Sequence, residues 1–341
     1  MESQTRATSR GEPRAETSNG ASGEASPLVA GLVLLAVLLL YFWLSGALFS
    51  DDMSGFWMSS AQTSGMSLTY STSPAFMVAS LLYARRRTRV VVDRLVESKV
   101  VDQEAARTAH VGAQVLGRGV NVGLVIIGIL LGSTNVSWDM VAKTLDGPWA
   151  WTGVSMAVGN FVTWIAVVQV FARRYIASRE LHRLGRDHAR VDLLRPDQLL
   201  PFGAIGILHF LMVVVTISLS SFQSLDAELR WVNYSAALAA GVPAAIVLLS
   251  LPMIGIRQNV RRAKSISLGR LDDAIARASR DLEPDSLRYL GDLVRQRDAV
   301  TSGREWPLDT TAVSRIAIYV VIPPIAWVGG ALVEILVESA L

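Results

Sequence analysis

The sequence predicts an all-α, polytopic membrane protein with seven transmembrane helices, its N-terminus inside and its C-terminus outside, and a cytoplasmic helical hairpin. Three observations predict it. Charged residues make up 18% of the 341 positions, where a soluble chain carries about 25%. The deficit is concentrated in seven apolar stretches, most of them long enough to cross roughly 30 Å of hydrocarbon. Finally, 30 of the 32 Lys and Arg residues fall in alternate connecting segments, the asymmetry that orients helices in a bilayer.

Residues 1–27 are rich in Ser, Gly, Glu, Arg and Thr. They cannot bury enough apolar surface to offset their ordering entropy, so they read as a disordered cytoplasmic tail. The first span, 28–49, is the most lipid-like and includes Leu38, Leu39 and Leu40 followed by Tyr41, Phe42 and Trp43. The second, 66–84, is the least apolar. Ser67, Thr69, Ser71, Thr72, Ser73 and Pro74 occupy its first half, and it ends at Arg85, Arg86, Arg87 and Arg89. The remaining spans are 119–136, 151–172, 199–222, 233–256 and 312–337, the first six forming one bundle over 28–256.

Charge supports the doubtful second span. The inner segments hold 3 (the tail), 8 (85–118), 7 (173–197) and 12 (257–315) basic residues, whereas the outer segments hold only Lys143 and Arg230. Without a span at 66–84 the alternation collapses. Trp138, Trp149, Trp151 and Trp231 flank the outer connections, where amphipathic rings favour the headgroup layer. The basic pI of 9.4 is then explained by orientation and anionic headgroups, with the lipid bilayer as partner and no nucleic acid.

The longest inner piece, 257–311, reads as a helical hairpin. Leu268, Leu271, Ile275, Ala278 and Leu282 recur at coiled-coil spacing and make one narrow stripe. Glu283-Pro284-Asp285 breaks the helix, and Leu287, Leu290 and Val294 form a second stripe. Pro252 to Arg280 resembles the start of a HAMP signalling linker. It departs from that family by returning to the membrane, and the family is not carried over. Residues 85–118 are expected to prolong the second helix, and Trp306-Pro307-Leu308-Asp309 to lead into the last one.

His209 lies ten residues into the fifth span, near the bilayer midplane, where an ionisable group is costly and by default functional. A proton relay or a ligand contact is one reading; a neutral imidazole bonded to Ser, Thr, Asn or backbone is the other. The second is favoured because no charged residue stands at mid-span elsewhere. Asn121, Asn160 and Gln169 either line a polar path or bond between helices. Gly119, Gly123, Gly128 and Gly132 and similar small-residue pairs predict close helix packing. Pro243, Pro252, Pro323 and Pro324 interrupt the last two helices, as in some transporter sites. Glu334 lies near the outer end of the seventh span as a candidate for an ion path.

Several classes are excluded. There is no cysteine, hence no disulfide or thiol chemistry. Lys99, Lys143 and Lys264, all outside the spans, leave no lysine for a retinal Schiff base. No zinc-protease, hydrolase-elbow or phosphate-loop motif is present, and no cofactor or metal site is expected. The leading expectation is a non-enzymatic signalling, scaffold or partner-docking protein of the plasma membrane. Its contacts would be Leu271, Ile275, Leu282, Leu290 and Val294, binding a protein partner or a second copy. The alternative is a small-solute or ion transporter or channel using His209, Asn121, Asn160, Pro323, Pro324 and Glu334.

Overall fold

A computed structural model describes residues 26–49, 56, 58–114, 116–136, 138–145, 147–224, 231–280, 284–308, 311, 314–321 and 325. All regular structure among them is helical: α1 (Pro27–Leu44), α2 (Ser60–Glu97), α3 (Gln103–Gln114), α4 (Arg118–Thr134), α5 (Trp138–Leu145), α6 (Ala150–Arg183), α7 (Leu200–Leu219), α8 (Trp231–Ala278) and α9 (Pro284–Ser302). A π-helical turn, Leu184–His188, extends α6, and 3-10 turns at Pro196–Leu199 and Ser220–Ser224 flank α7. Four helical segments are long and apolar enough to cross a membrane: Pro27–Leu44, Ala150–His188, Pro196–Leu219 and Leu238–Ala278. This marks the chain as a membrane protein.

α1 starts at Pro27, where the missing N–H of proline is no loss. It ends at Leu44, five residues before the expected limit. Gly46 and Phe49 take positive φ values of 71° and 64°, turning the chain back so that Ala47 and Leu48 are buried beside Phe42, Tyr70 and Met156. Along α1, Leu28, Leu32, Val33, Val37 and Leu40 stay exposed. In water such a row would be a liability; against acyl chains it is the stable outer surface.

α2 inverts that logic. Its polar residues face inward: Thr63, Ser67, Thr69, Ser71, Ser73 and Ser80 are buried. Most need no partner on another helix. Thr63, Ser67, Thr69 and Ser71 donate to the carbonyls of Ser59, Thr63, Gly65 and Ser67, four residues back, and Ser80 donates to Met77 O. Low hydropathy in this helix therefore reflects burial within protein.

Small residues set the α4–α6 spacing. A Cβ on Gly128 would stand 2.7 Å from the Ile165 Cα, and one on Gly132 would strike the Phe161 ring. Gly119 and Gly123 have open space, so only the second of those two pairs serves close packing.

α2, α6 and α8 all continue beyond their apolar stretches into the arginine-rich end. There Val91, Val92, Leu95, Leu184, Phe202 and Ile256 form part of one large apolar cluster. α2 stops at Glu97, where Lys99 takes φ 58° and α3 begins a separate helix. α8 is 48 residues long and joins the sixth expected span to the first stripe of the expected hairpin without a break. Asn259 ties it to the π turn by donating to Gly185 O at 3.0 Å and Ala189 O at 2.7 Å.

α8 and α9 pack together, with Leu271, Leu293 and Val300 buried between them and Leu268, Ile275 and Leu193 alongside. Arg297 donates to Asp272 at 2.7 Å and Lys264 to Thr301 O at 2.6 Å, so the two helices run in opposite directions. Ile316 and Tyr319, in the helical stretch 314–321, pack against Phe210, Val214 and Ala245 of α7 and α8.

Candidate functional site

Two adjacent arginines near the C-terminal end of α6 go to different places. Successive helical residues are about 100° apart in projection, so Arg173 and Arg174 cannot share a face. Arg173 turns toward α4, donating to Asn121 Oδ1 at 3.0 Å and to the side chain of Gln169. Arg174 turns into the core and is only 4% exposed.

The environment of Arg174 is built by α2, α6 and α7. Its Nη2 donates to Ser80 Oγ and, at 3.3 Å, to Met212 Sδ. Its Nε is buried without a hydrogen-bond partner. No carboxylate among the described residues forms an ion pair with it. One turn further along α6, Ser178 Oγ lies 3.0 Å from Nδ1 of His209 on α7. Both are fully buried, so the imidazole is held by a serine from a neighbouring helix.

Arg174 lines a cavity of about 760 Å³ bordered by α2, α4, α6, α7 and α8. That volume lies in the range of roughly 300–1,000 Å³ typical of small-molecule sites. On α6 the cavity wall extends from Asn160 to Arg174, about 21 Å of helical rise. Val167, Val168, Val213, Ile217, Val247 and Leu248 supply aliphatic wall, and Thr69, Tyr70, Ser73, Asn160, Thr216 and Gln223 supply polar groups.

Prolines lie within two of the helices that border this cavity. Pro74 in α2 and Pro243 in α8 cannot donate to the carbonyls four residues earlier, those of Tyr70 and Ala239. Both of those residues line the cavity.

Asn160 lines the cavity and donates to Gly132 O at 2.8 Å, fixing α4 against α6. Asn121 is half-buried, donates to Leu116 O at 3.0 Å, and is not among the cavity-lining residues. His209 is not part of the lining; its partner Ser178 stands one turn beyond Arg174 on α6. Pro323, Pro324, Glu334 and Leu282 lie outside the described residues. In the α8–α9 contact Leu271 is buried and Ile275 packs beside it, while Leu290 is half-buried and Val294 is exposed. Leu293 and Val300 take the inward positions on α9.

The sequence reading missed Arg174. It counts Arg173 and Arg174 only among the seven basic residues of the inner segment 173–197. The available signal was the helical phase: Arg174 shares a face with Ser178 and Leu181, which the apolar-run boundary at 172 cut off.

Among the described residues, no group of three or more His, Asp or Glu is placed to hold a metal ion. Compared with known proteins, the chain matches no family model, no curated protein and no solved structure.

Proposed function

We propose that this chain is a seven-span plasma-membrane protein that binds a small solute within its helix bundle and moves it across the bilayer. The carrying observation is the 760 Å³ cavity, bordered by two continuous helices that contain prolines, α2 with Pro74 and α8 with Pro243 and Pro252.

Seven spans are supported by two helices that simple hydropathy undervalues. α2 hides its hydroxyls inside the bundle, and α4, with 17 residues, rises about 26 Å. The 30-to-2 partition of basic residues supports an inside N-terminus, an outside C-terminus and a cytoplasmic location for α9.

Proteoliposomes test the reading by measuring efflux of potassium, chloride, glycerol and short carboxylic acids. The wild-type protein should pass at least one of them faster than empty vesicles. Ala244→Trp, which fills the cavity wall, should abolish that flux while eluting as a folded species. No flux above background, or flux unchanged by Ala244→Trp, would overturn it.

A second reading, docking of a protein partner or another copy on the α8–α9 pair, is favoured by one observation. Leu287, Tyr289 and Val294 remain exposed on α9 although that helix already buries Leu293 and Val300. Partner capture lost on Leu287→Glu/Val294→Glu would support it.

A further inference from the structure

We infer that the cavity binds an amphiphile with an oxyanion head, a long-chain carboxylate or phosphate ester, whose head group is held by Arg174. The inference rests on the cavity being a ligand site and adds what the ligand is.

Arg174 is a permanent cation that is 4% exposed. A buried charge is tolerated where a counter-charge and hydrogen bonds satisfy it. Here the protein offers a hydroxyl and a thioether to Nη2, and nothing to Nε. Arg174 is also one of the residues that line the cavity. A planar fork of donors with free capacity beside a ligand-sized cavity matches the geometry of a carboxylate or phosphate oxygen pair.

The rest of the cavity specifies the remainder of the molecule. From Arg174 the α6 wall runs about 21 Å to Asn160, past Phe171, Val168, Val167 and Trp164. An aliphatic chain matches the apolar part of this wall, which a compact hydrophilic anion would leave uncovered. α4 and α8 both line the cavity, and among the described residues these two helices are not closely packed against each other. An acyl chain therefore has a lateral route from the bilayer between them.

The full chain in phosphatidylcholine nanodiscs at pH 8 tests this with radiolabelled palmitate, using hexadecanol as its neutral counterpart. The wild type should prefer palmitate by roughly ten- to a hundredfold, the value of a charge-assisted pair. Arg174→Gln should lose that preference, Arg174→Lys should keep part of it, and Arg173→Gln should leave it intact. If Arg174→Gln fails to fold, Ser80→Ala, which removes one support of the guanidinium, should weaken palmitate binding alone. Equal binding of palmitate and hexadecanol, both blocked by Ala244→Trp, would overturn the anion assignment and leave the cavity reading standing. No binding of either probe would overturn the amphiphile inference, whereas failure of the cavity reading is registered separately by the efflux assay. Displacement of palmitate by added phosphatidylglycerol would assign the site to a bilayer lipid, and its absence to a free amphiphile; both support the inference.

Discussion

Replacing Arg174 by methionine in ligand-free protein should raise thermal stability, although it deletes a buried side chain with two hydrogen bonds. The lost terms are the Nη2 contacts to Ser80 and Met212, and hydrogen bonds to charged groups are worth about 1.5–3 kcal/mol each at most. Ser80 is not orphaned, because its hydroxyl still donates to Met77 O at 2.9 Å. The removed penalty is that of a buried ion without a counter-ion, several kcal/mol even after relaxation. Methionine fills irregular space with a flexible, polarisable chain and would lie against Met212. The balance is a gain of about 1–3 kcal/mol, of the same order as the 1–4 kcal/mol often found when buried ion pairs are replaced by apolar groups. For a chain of this size that corresponds to a rise in Tm of roughly 2–6 °C. The nine tryptophans allow intrinsic fluorescence melting in delipidated detergent. A lower Tm for Arg174→Met than for wild type under those conditions would refute the reasoning, showing that the protein itself satisfies the guanidinium.

Three further outcomes follow from separate parts of the chain. In the cysteine-free background, Ser98→Cys and Ser265→Cys should resist an impermeant maleimide applied to intact cells, and Thr134→Cys should react; labelling at Ser98 would invert the orientation. Glu305 accepts a hydrogen bond from Arg261 at 2.8 Å and has Lys264 and Arg257 nearby. The Arg261 hydrogen bond is the main cause holding its carboxyl below the ordinary value, followed by the charges of Arg261, Lys264 and Arg257. A lowered folded pKa means the stabilisation is present above the unfolded value and is lost as pH falls through the folded one. Hydrogen exchange around residues 303–308 should therefore rise on acidification, and Glu305→Gln should remove that pH dependence. Leu293→Ala, at 7% exposure, should destabilise the α8–α9 contact by about 2–4 kcal/mol, whereas Val294→Ala, at 41%, should cost under about 0.5 kcal/mol. Exchange protection in α9 separates the two.

The contrast between Leu293 and Val294 shows how far a stripe can be read from spacing. Leu287, Leu290 and Val294 satisfy helical periodicity, but so does the set containing Leu293 and Val300. Which one faces α8 depends on the rotation of α9 after the break around Pro284, and one sequence does not encode that angle locally. The first stripe had less competition: of the large apolar residues in its charged segment, Leu268, Leu271 and Ile275 pack together and only Ile266 stays exposed.

The same division runs through the whole molecule. The helical class and the presence of long apolar helices are legible in composition and charge, because lipid solvation acts on each segment separately, whereas the inward turn of the α2 hydroxyls was not read from the sequence. The limits of single helices were less legible. α1 ends where a positive-φ turn folds its last residues into the core, and α8 runs through Pro252 because neighbouring helices hold it. The cavity and its cation are properties of tertiary structure alone. Arg173 and Arg174 are chemically identical neighbours, and only the rotation of α6 against α2 and α7 sends one to Asn121 and buries the other beside Ser80.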